Sequence, residues 1–267
     1  MTCLERERGF ALLIVLWTMA LLVLIMLQLT ASGRSEAQLA RNLRSDAITE
    51  ASADAAIYEA VYHLMAPGNA HWLPTGSYVV AVPHGTAEVR IENLAGRINP
   101  NIASPELLTA LLRAMGWEPR VSASIAAAIV DWRSPGRSRQ TRIAPQYRAA
   151  GRDYAPPGTP IRDVQELSGV LGMTPDMLAS LAPHLTVFSA GDPDPAFADA
   201  VVLEALRQLG EAEAAVDIGQ NDDLFVAITA AARGPQASRF TRQAVVGISL
   251  AQRGRRWHVL AWDPVRL

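Results

Sequence analysis

The sequence predicts an α+β fold in which one long N-terminal helix packs on an antiparallel sheet that is interrupted by a large all-helical insertion. Three observations carry this. An uncharged apolar run, Phe10 to Leu29, passes into a segment of helical periodicity that reaches Met65. Strand patterns follow at 77–93 and again after residue 224, and between them the period is helical for about 90 residues.

The run from Phe10 to Leu29 carries no charge, and the next charged residue is Arg34. Uncharged stretches of about 18 or more residues read as membrane spans. A removed signal peptide would have a shorter apolar core of about 7–15 residues, with Thr30-Ala31-Ser32-Gly33 as its cleavage site. The length of this run favours a retained helix, either a plain signal anchor or a processed one. Arg6 and Arg8 precede the span, and Arg34, Arg41 and Arg44 follow it, so charge alone does not set the orientation.

Beyond the span, Ala40, Leu43, Ala47, Ala51, Ala55, Tyr58, Val61 and Met65 recur at three and four, with Arg41, Arg44, Asp46, Glu50 and Asp54 on other faces. This stripe is expected to face a folded domain. No proline or glycine interrupts it until Pro67-Gly68. Ser77 to Val82 and Thr86 to Asn93 are rich in β-branched residues around Pro83-His84-Gly85, a hairpin signal.

The helical insertion opens at Ile98. Ser104 is a good N-cap, Pro105 suits the first helical position, and Asn99 and Asn101 suit the loop before it. Val121 to Trp132 reads as a second helix and Asp163 to Leu171 as a third. Leu167 to Leu178 reads as a helix-hairpin-helix, continued by a helix to Leu181 and a strand over 185–188. Ser134 to Pro160 is rich in Pro, Gly and Ser and reads as a solvated loop. The last part returns to mixed structure. A helix is expected over Ala196 to Leu209 with Val201, Leu203, Leu206 and Leu209 inward, and strands over 224–231, 239–252 and 256–262. Arg253-Gly254 is expected to turn the last hairpin, while Asp192-Pro193-Asp194 and Asn221-Asp222-Asp223 read as loops.

Composition narrows the function. All 24 basic residues of the 267 are arginine, which excludes Schiff-base and lysine-base chemistry. Cys3 is the only thiol, so no internal disulfide forms. The histidines, His63, His71, His84, His184 and His258, have no metal-ligand spacing, and no nucleophile elbow or phosphate loop occurs. The sequence predicts no enzyme and no small-molecule substrate.

Arg8-Gly9-Phe10-Ala11-Leu12-Leu13-Ile14-Val15-Leu16-Trp17-Thr18 resembles the class III leader of pilins and pseudopilins. The resemblance implies that a prepilin peptidase cuts between Gly9 and Phe10 and that the new terminus at Phe10 is methylated. Most members carry a glutamate where this chain has Ile14. Lacking that acid marks the type II secretion minor pseudopilin K, and the segment Asn99-Pro100-Asn101-Ile102-Ala103-Ser104-Pro105-Glu106-Leu107-Leu108 resembles the element that opens its helical insertion. The resemblance implies a pilin-like fold with 1–9 as leader, 10–33 as transmembrane half-helix, 34–66 as periplasmic amphipathic half-helix, 67–97 and 184–267 as the two parts of the sheet domain, and 98–183 as the insertion. It implies a place at the tip of the pseudopilus, where the chain initiates assembly for export across the outer membrane. Leu43, Ala47, Ala51, Tyr58 and Val61 would then meet other minor pseudopilins, with the chain anchored in the inner membrane.

Two further chemistries compete for the insertion. The family resemblance implies calcium, for which Asp131, Asp153, Asp163 and Glu166 are the candidate ligands. Arg133-Ser134-Pro135-Gly136-Arg137 is basic where further acids are expected, and this favours surface ion pairs over a metal and no cofactor. The hairpin allows a membrane-anchored DNA-binding protein as the alternative function, aided by Arg133, Arg137, Arg139, Arg142, Arg148 and Arg152. Ser168 to Thr174 holds no basic residue, which argues against nucleic acid.

Overall fold

The computed structural model describes residues 4–210, 223–249 and 256–265, with side chains for all of these except 4–9, 11, 29–34 and 137–140. Helix α1 spans Leu4–Met65, 62 residues in one piece, or roughly 93 Å at about 1.5 Å per residue. It stops at Pro67, whose backbone is extended, and Gly68, which takes the left-handed conformation with φ +67°.

Five strands form one antiparallel sheet in sequence order: β1 (Gly76–Val82), β2 (Gly85–Asn93), β3 (Asp223–Arg233), β4 (Arg239–Ser249) and β5 (Arg256–Pro264). β2 and β3 are neighbours, with Asn93 opposite Val226, although the whole insertion separates them in the chain. Gly85 turns the first hairpin at φ +159°, and a Cβ there would lie 2.6 Å from the Arg233 carbonyl oxygen. The expected turn at Arg253-Gly254 and the loop residues Asn221 and Asp222 lie outside the described residues.

Alternation along β2, β3 and β4 puts Ala87, Val89, Ile91, Val226, Ile228, Ala230, Ala232, Ala244, Val246 and Ile248 on the face that α1 covers. The helix answers with Ala53, Ala56, Ile57, Ala60, Val61 and Leu64, all buried. Alanines on both sides let helix and sheet approach closely.

Most of the expected stripe on α1 points the other way. Of its eight residues Val61 is buried and Met65 half-buried, while Ala40, Leu43, Ala47, Ala51, Ala55 and Tyr58 are exposed. The inward face begins instead with Ser45, Thr49 and Ser52, all buried. Polarity hid them from a hydropathy period, yet Thr49 donates to the Ser45 carbonyl and Ser52 to the Ile48 carbonyl, both at 2.8 Å, so their hydroxyls are satisfied on the helix itself.

The insertion contains α2 (Pro105–Ala114), α3 (Pro119–Arg133), α4 (Arg137–Ala149), α5 (Pro175–Leu181) and α6 (Ala200–Leu209) around a second core. The Ser104 hydroxyl accepts from the Leu107 amide at 3.0 Å with Pro105 in the first turn, as its sequence predicts. Helix α4 lies where a loop was expected. Its composition is polar, but Ile143 and Tyr147, four residues apart, are both buried in the insertion core and hold it there. The expected third helix is a 3-10 helix, Val164–Gly169, and the expected strand over 185–188 reduces to one parallel bridge between Leu185 and Ile98. Helix α6 begins at Asp199 as N-cap and buries Val202, Ala205 and Leu206; Val201, Leu203 and Leu209 are only half-buried, one residue out of the predicted phase. α6 belongs to the helical core, so the helical body runs past residue 183 to Leu209.

Candidate functional site

The second half of α1 is fixed to the sheet by two polar clamps. Arg242 on β4, almost wholly buried, donates from Nε to Asp54 Oδ1 at 2.7 Å and from Nη2 to Glu50 Oε1 at 2.5 Å. Its guanidinium also lies over the Phe240 ring at 4.8 Å and the Trp262 ring at 5.7 Å. Burial works against its charge, but the hydrogen bonds and charges of Asp54 and Glu50 outweigh it and hold the group above its usual value. At the other clamp, Ser45 Oγ donates to the Pro235 carbonyl at 2.5 Å and lies 2.9 Å from Ser238 Oγ, with Thr49 Oγ1 bonded to the same Ser238 hydroxyl. The β3–β4 turn it grips holds Gln236 and Ala237 at φ 55° and 60°, a conformation non-glycine residues rarely adopt.

With its inner face so held, α1 presents a continuous outer face. Leu43 is 60% exposed and Tyr58 52%, with Ala47 and Ala51 exposed between them. Val61 is 2% exposed and belongs to the core, so it is not available to a partner. Gly9 and Phe10 lie inside the first turns of α1, and Phe10 and Ile14 are exposed. The uncharged side chains over 12–28 are all exposed. Among the described residues no helix is long and apolar enough to cross a membrane.

Sequence reasoning missed Arg242, and simple alternation puts Trp257 and Trp262 on opposite faces of β5. The available signal was an arginine in phase with Ala244, Val246 and Ile248 on its strand, together with two carboxylates four residues apart on a helix. For the tryptophans it was obscured by a β-bulge between Val245 and Val246, where the extra residue Leu260 brings Trp257, Val259 and Trp262 to one side of β5 instead of opposite sides.

In the insertion, the Asn-x-Asn element ties three segments together. Asn99 Nδ2 donates to the Ser189 carbonyl at 2.6 Å, while Asn101 donates to the Ile161 carbonyl at 2.8 Å and accepts from the Ile161 amide at 2.7 Å. Arg133 donates to the Pro100 carbonyl and, at 2.7 Å, to the Ala103 carbonyl. Burial lowers its pKa. The four candidate metal ligands are not brought together: Asp163 Oδ1 accepts from the Gln165 amide at 2.8 Å, Glu166 from the Arg162 amide at 3.2 Å, Asp131 lies in the last turn of α3, and Asp153 sits in the loop after α4. Among the described residues no three His, Cys, Asp or Glu side chains are gathered as metal ligands.

The hairpin is closed from within. Its Leu171 amide donates to Tyr147 Oη at 3.1 Å, and its Met173 amide to the Val170 carbonyl at 3.1 Å. Burial raises the Tyr147 pKa, so the phenol stays neutral. Gly169 lies under Trp132, where a Cβ would meet the ring at 2.4 Å. Elsewhere His184 Nδ1 lies 2.6 Å from Asp199 Oδ2, while Asp199 Oδ1 accepts from the Val201 and Val202 amides.

A pilin-like fold is what these features define: a long helix laid on an antiparallel meander, here carrying a helical body between β2 and β3. Residues 88–190 match the family model described as type II secretion system (T2SS), protein K. A chain of the crystal structure of the GspK-GspI-GspJ complex from the enterotoxigenic Escherichia coli type 2 secretion system shares the fold, with a TM-score of 0.56 at 16% identity, over 88% of this chain and 99% of that one. Comparison with curated proteins gives no match. Residues 88–190 therefore resemble protein K of type II secretion systems, and the likeness to the solved chain shows a shared fold.

Proposed function

We propose that this chain is the minor pseudopilin at the tip of a type II secretion pseudopilus, where it initiates assembly with two other minor pseudopilins for protein export across the outer membrane. The observation that carries the proposal is the outer face of α1: a stripe of Leu43, Ala47, Ala51, Ala55 and Tyr58 is exposed on it, while the opposite face is committed to the sheet. Leaving such a stripe in water is unfavourable, by roughly 25 cal/mol per Å² of apolar area that a partner would cover. The similar structure is that of a GspK-GspI-GspJ complex, which supports partners of the I and J kind here.

In this reading the leader is cut between Gly9 and Phe10 by a prepilin peptidase, Phe10 is methylated, and the run Phe10 to Leu29 stays in the inner membrane with the sheet and helical body in the periplasm. Ile14 leaves the subunit without an intramembrane acid, so it offers no carboxylate to a neighbour's amino terminus. The helical body stands on the sheet domain and blocks addition of a further subunit above it.

The role needs no catalysis, cofactor or metal. Residues at the implied calcium region do not fit a hard cation, because the Arg133 guanidinium, itself a cation, takes the Pro100 and Ala103 carbonyls. Nor is the DNA-binding alternative favoured, since the hairpin amide of Leu171 is already committed to Tyr147.

Amino-terminal mass analysis of the membrane-extracted protein tests processing: methylated Phe10 is expected, and an intact Met1 in cells with an active prepilin peptidase refutes it. Co-purification tests assembly. Leu43→Asp should fold and lose the partners, and retention of both partners would overturn the interface. Val61→Asp cannot serve, because it places a charge in the core.

A further inference from the structure

We propose that the partner-binding surface does not end on α1 but turns a corner onto β5, and that a partner subunit's amphipathic helix with a basic flank seats in the crook between them. This rests on the assembly role above and specifies its partner chemistry.

α1 packs mainly on β3 and β4 and less on β1 and β2. A helix about 10 Å across covers only two or three strands spaced about 4.8 Å apart. β5, at the edge, is left open on the helix side. Registered opposite Ile248, Val246 and Ala244, its residues Trp257, Val259 and Trp262 lie on that side, and Val259 is 42% exposed. Tyr58 joins the two surfaces, its ring centroid 5.9 Å from that of Trp257 and 5.6 Å from that of Trp262. Leu43, Ala47, Ala51, Tyr58, Trp257 and Val259 therefore form one apolar surface with a bend at the aromatic cluster. Tyrosine and tryptophan at the centre of a concave patch are the residues that most often carry binding energy.

Charge identifies the occupant. From residue 46 to 59 the acids on α1 are Asp46, Glu50, Asp54 and Glu59, with no base among them. Asp46, Glu50 and Asp54 are spaced by four and line one flank of the apolar stripe. Arg242 is the cation that meets this flank, and Glu50 remains 49% exposed beside it. A helix laid along the stripe is thus matched by arginine or lysine on the flank that meets these acids, and by small or aliphatic residues against the bend.

The full chain, co-expressed with the I and J minor pseudopilins of its own secretion system and captured from detergent extracts, tests this. Val259→Arg should reduce partner capture at least tenfold, whereas Val79→Arg, 71% exposed on the opposite edge strand, should leave it unchanged. Asp46→Arg should also reduce capture. A photo-cross-linking residue at position 259 supplies a readout independent of folding, and an adduct with a partner helix is expected. Loss of capture in Leu43→Asp with full capture in Val259→Arg and no adduct at 259 overturns the corner and leaves the assembly role standing. Full capture in both Leu43→Asp and Val259→Arg overturns both.

Discussion

Arg242→Met removes the guanidinium while keeping most of the aliphatic stem that packs on Phe240 and Trp262. Hydrogen bonds to charged groups contribute about 1.5–3 kcal/mol when buried. Here the partners are partly hydrated, the Asp54 side chain 30% and the Glu50 side chain 49% exposed, so the lower end applies to Asp54 and less to Glu50. Loss of the cation also leaves Glu50 and Asp54 facing each other four residues apart on one helix, a repulsion of about 0.2–0.5 kcal/mol. A loss of about 2–3 kcal/mol follows, and it falls on the contact that fixes α1 against β4. Denaturant unfolding of the full chain in detergent, followed by tryptophan fluorescence, measures it, with Trp262 reporting from beside the site. A double-mutant cycle with Asp54→Asn isolates the contact and should give a coupling of about 1 kcal/mol or more. Destabilisation below about 0.5 kcal/mol, or strict additivity in the cycle, would show that the ion pair does not hold the helix.

Asn101→Ala leaves both the amide and the carbonyl of Ile161 without their partner and should cost about 2–3 kcal/mol, read as a lowered thermal midpoint; an unchanged midpoint would mean the loop is held elsewhere. Gly169→Ala forces a methyl into the Trp132 ring and should destabilise the insertion by about 1–3 kcal/mol, with tryptophan fluorescence and circular dichroism as readouts. At Asp199, burial raises the carboxyl pKa, but the hydrogen bonds from His184 and the Val202 and Val201 amides outweigh it and leave the group below its ordinary 3.8. Its charge therefore stabilises the fold above about pH 4 and stops doing so as pH falls through the lower folded value. Wild type should exceed Asp199→Asn in stability near neutral pH and converge with it in acid, and a constant difference down to the lowest accessible pH would count against this.

Local chemistry made much of the molecule legible in the sequence. Ser104 and Pro105 start α2 because a hydroxyl and a fixed φ suffice there, and Pro67-Gly68 ends α1 because neither residue continues a helix. β-branched alternation located β1 and β2 to within a residue. What hydropathy could not supply was direction. A helix laid on a sheet has an inner and an outer face, and the inner one begins with polar residues here because Ser45, Thr49 and Ser52 satisfy their hydroxyls on the helix or the β3–β4 turn.

The insertion shows the same limit. Ile143 and Tyr147 sit in a segment whose arginines, proline and glycine read as solvated, and only the core that receives those two side chains makes it a helix. Asn99 and Asn101 were recognisable as loop residues, but their partners, Ser189 and Ile161, are remote in the chain. By itself the sequence determined which segments are apolar and where chain direction must change, since each depends on neighbouring residues alone. Tertiary structure decided which face of α1 is free, that Arg133 and Arg242 serve as internal cations, and that a bulge turns two tryptophans to one side, because each of these depends on groups that meet only when the chain is folded.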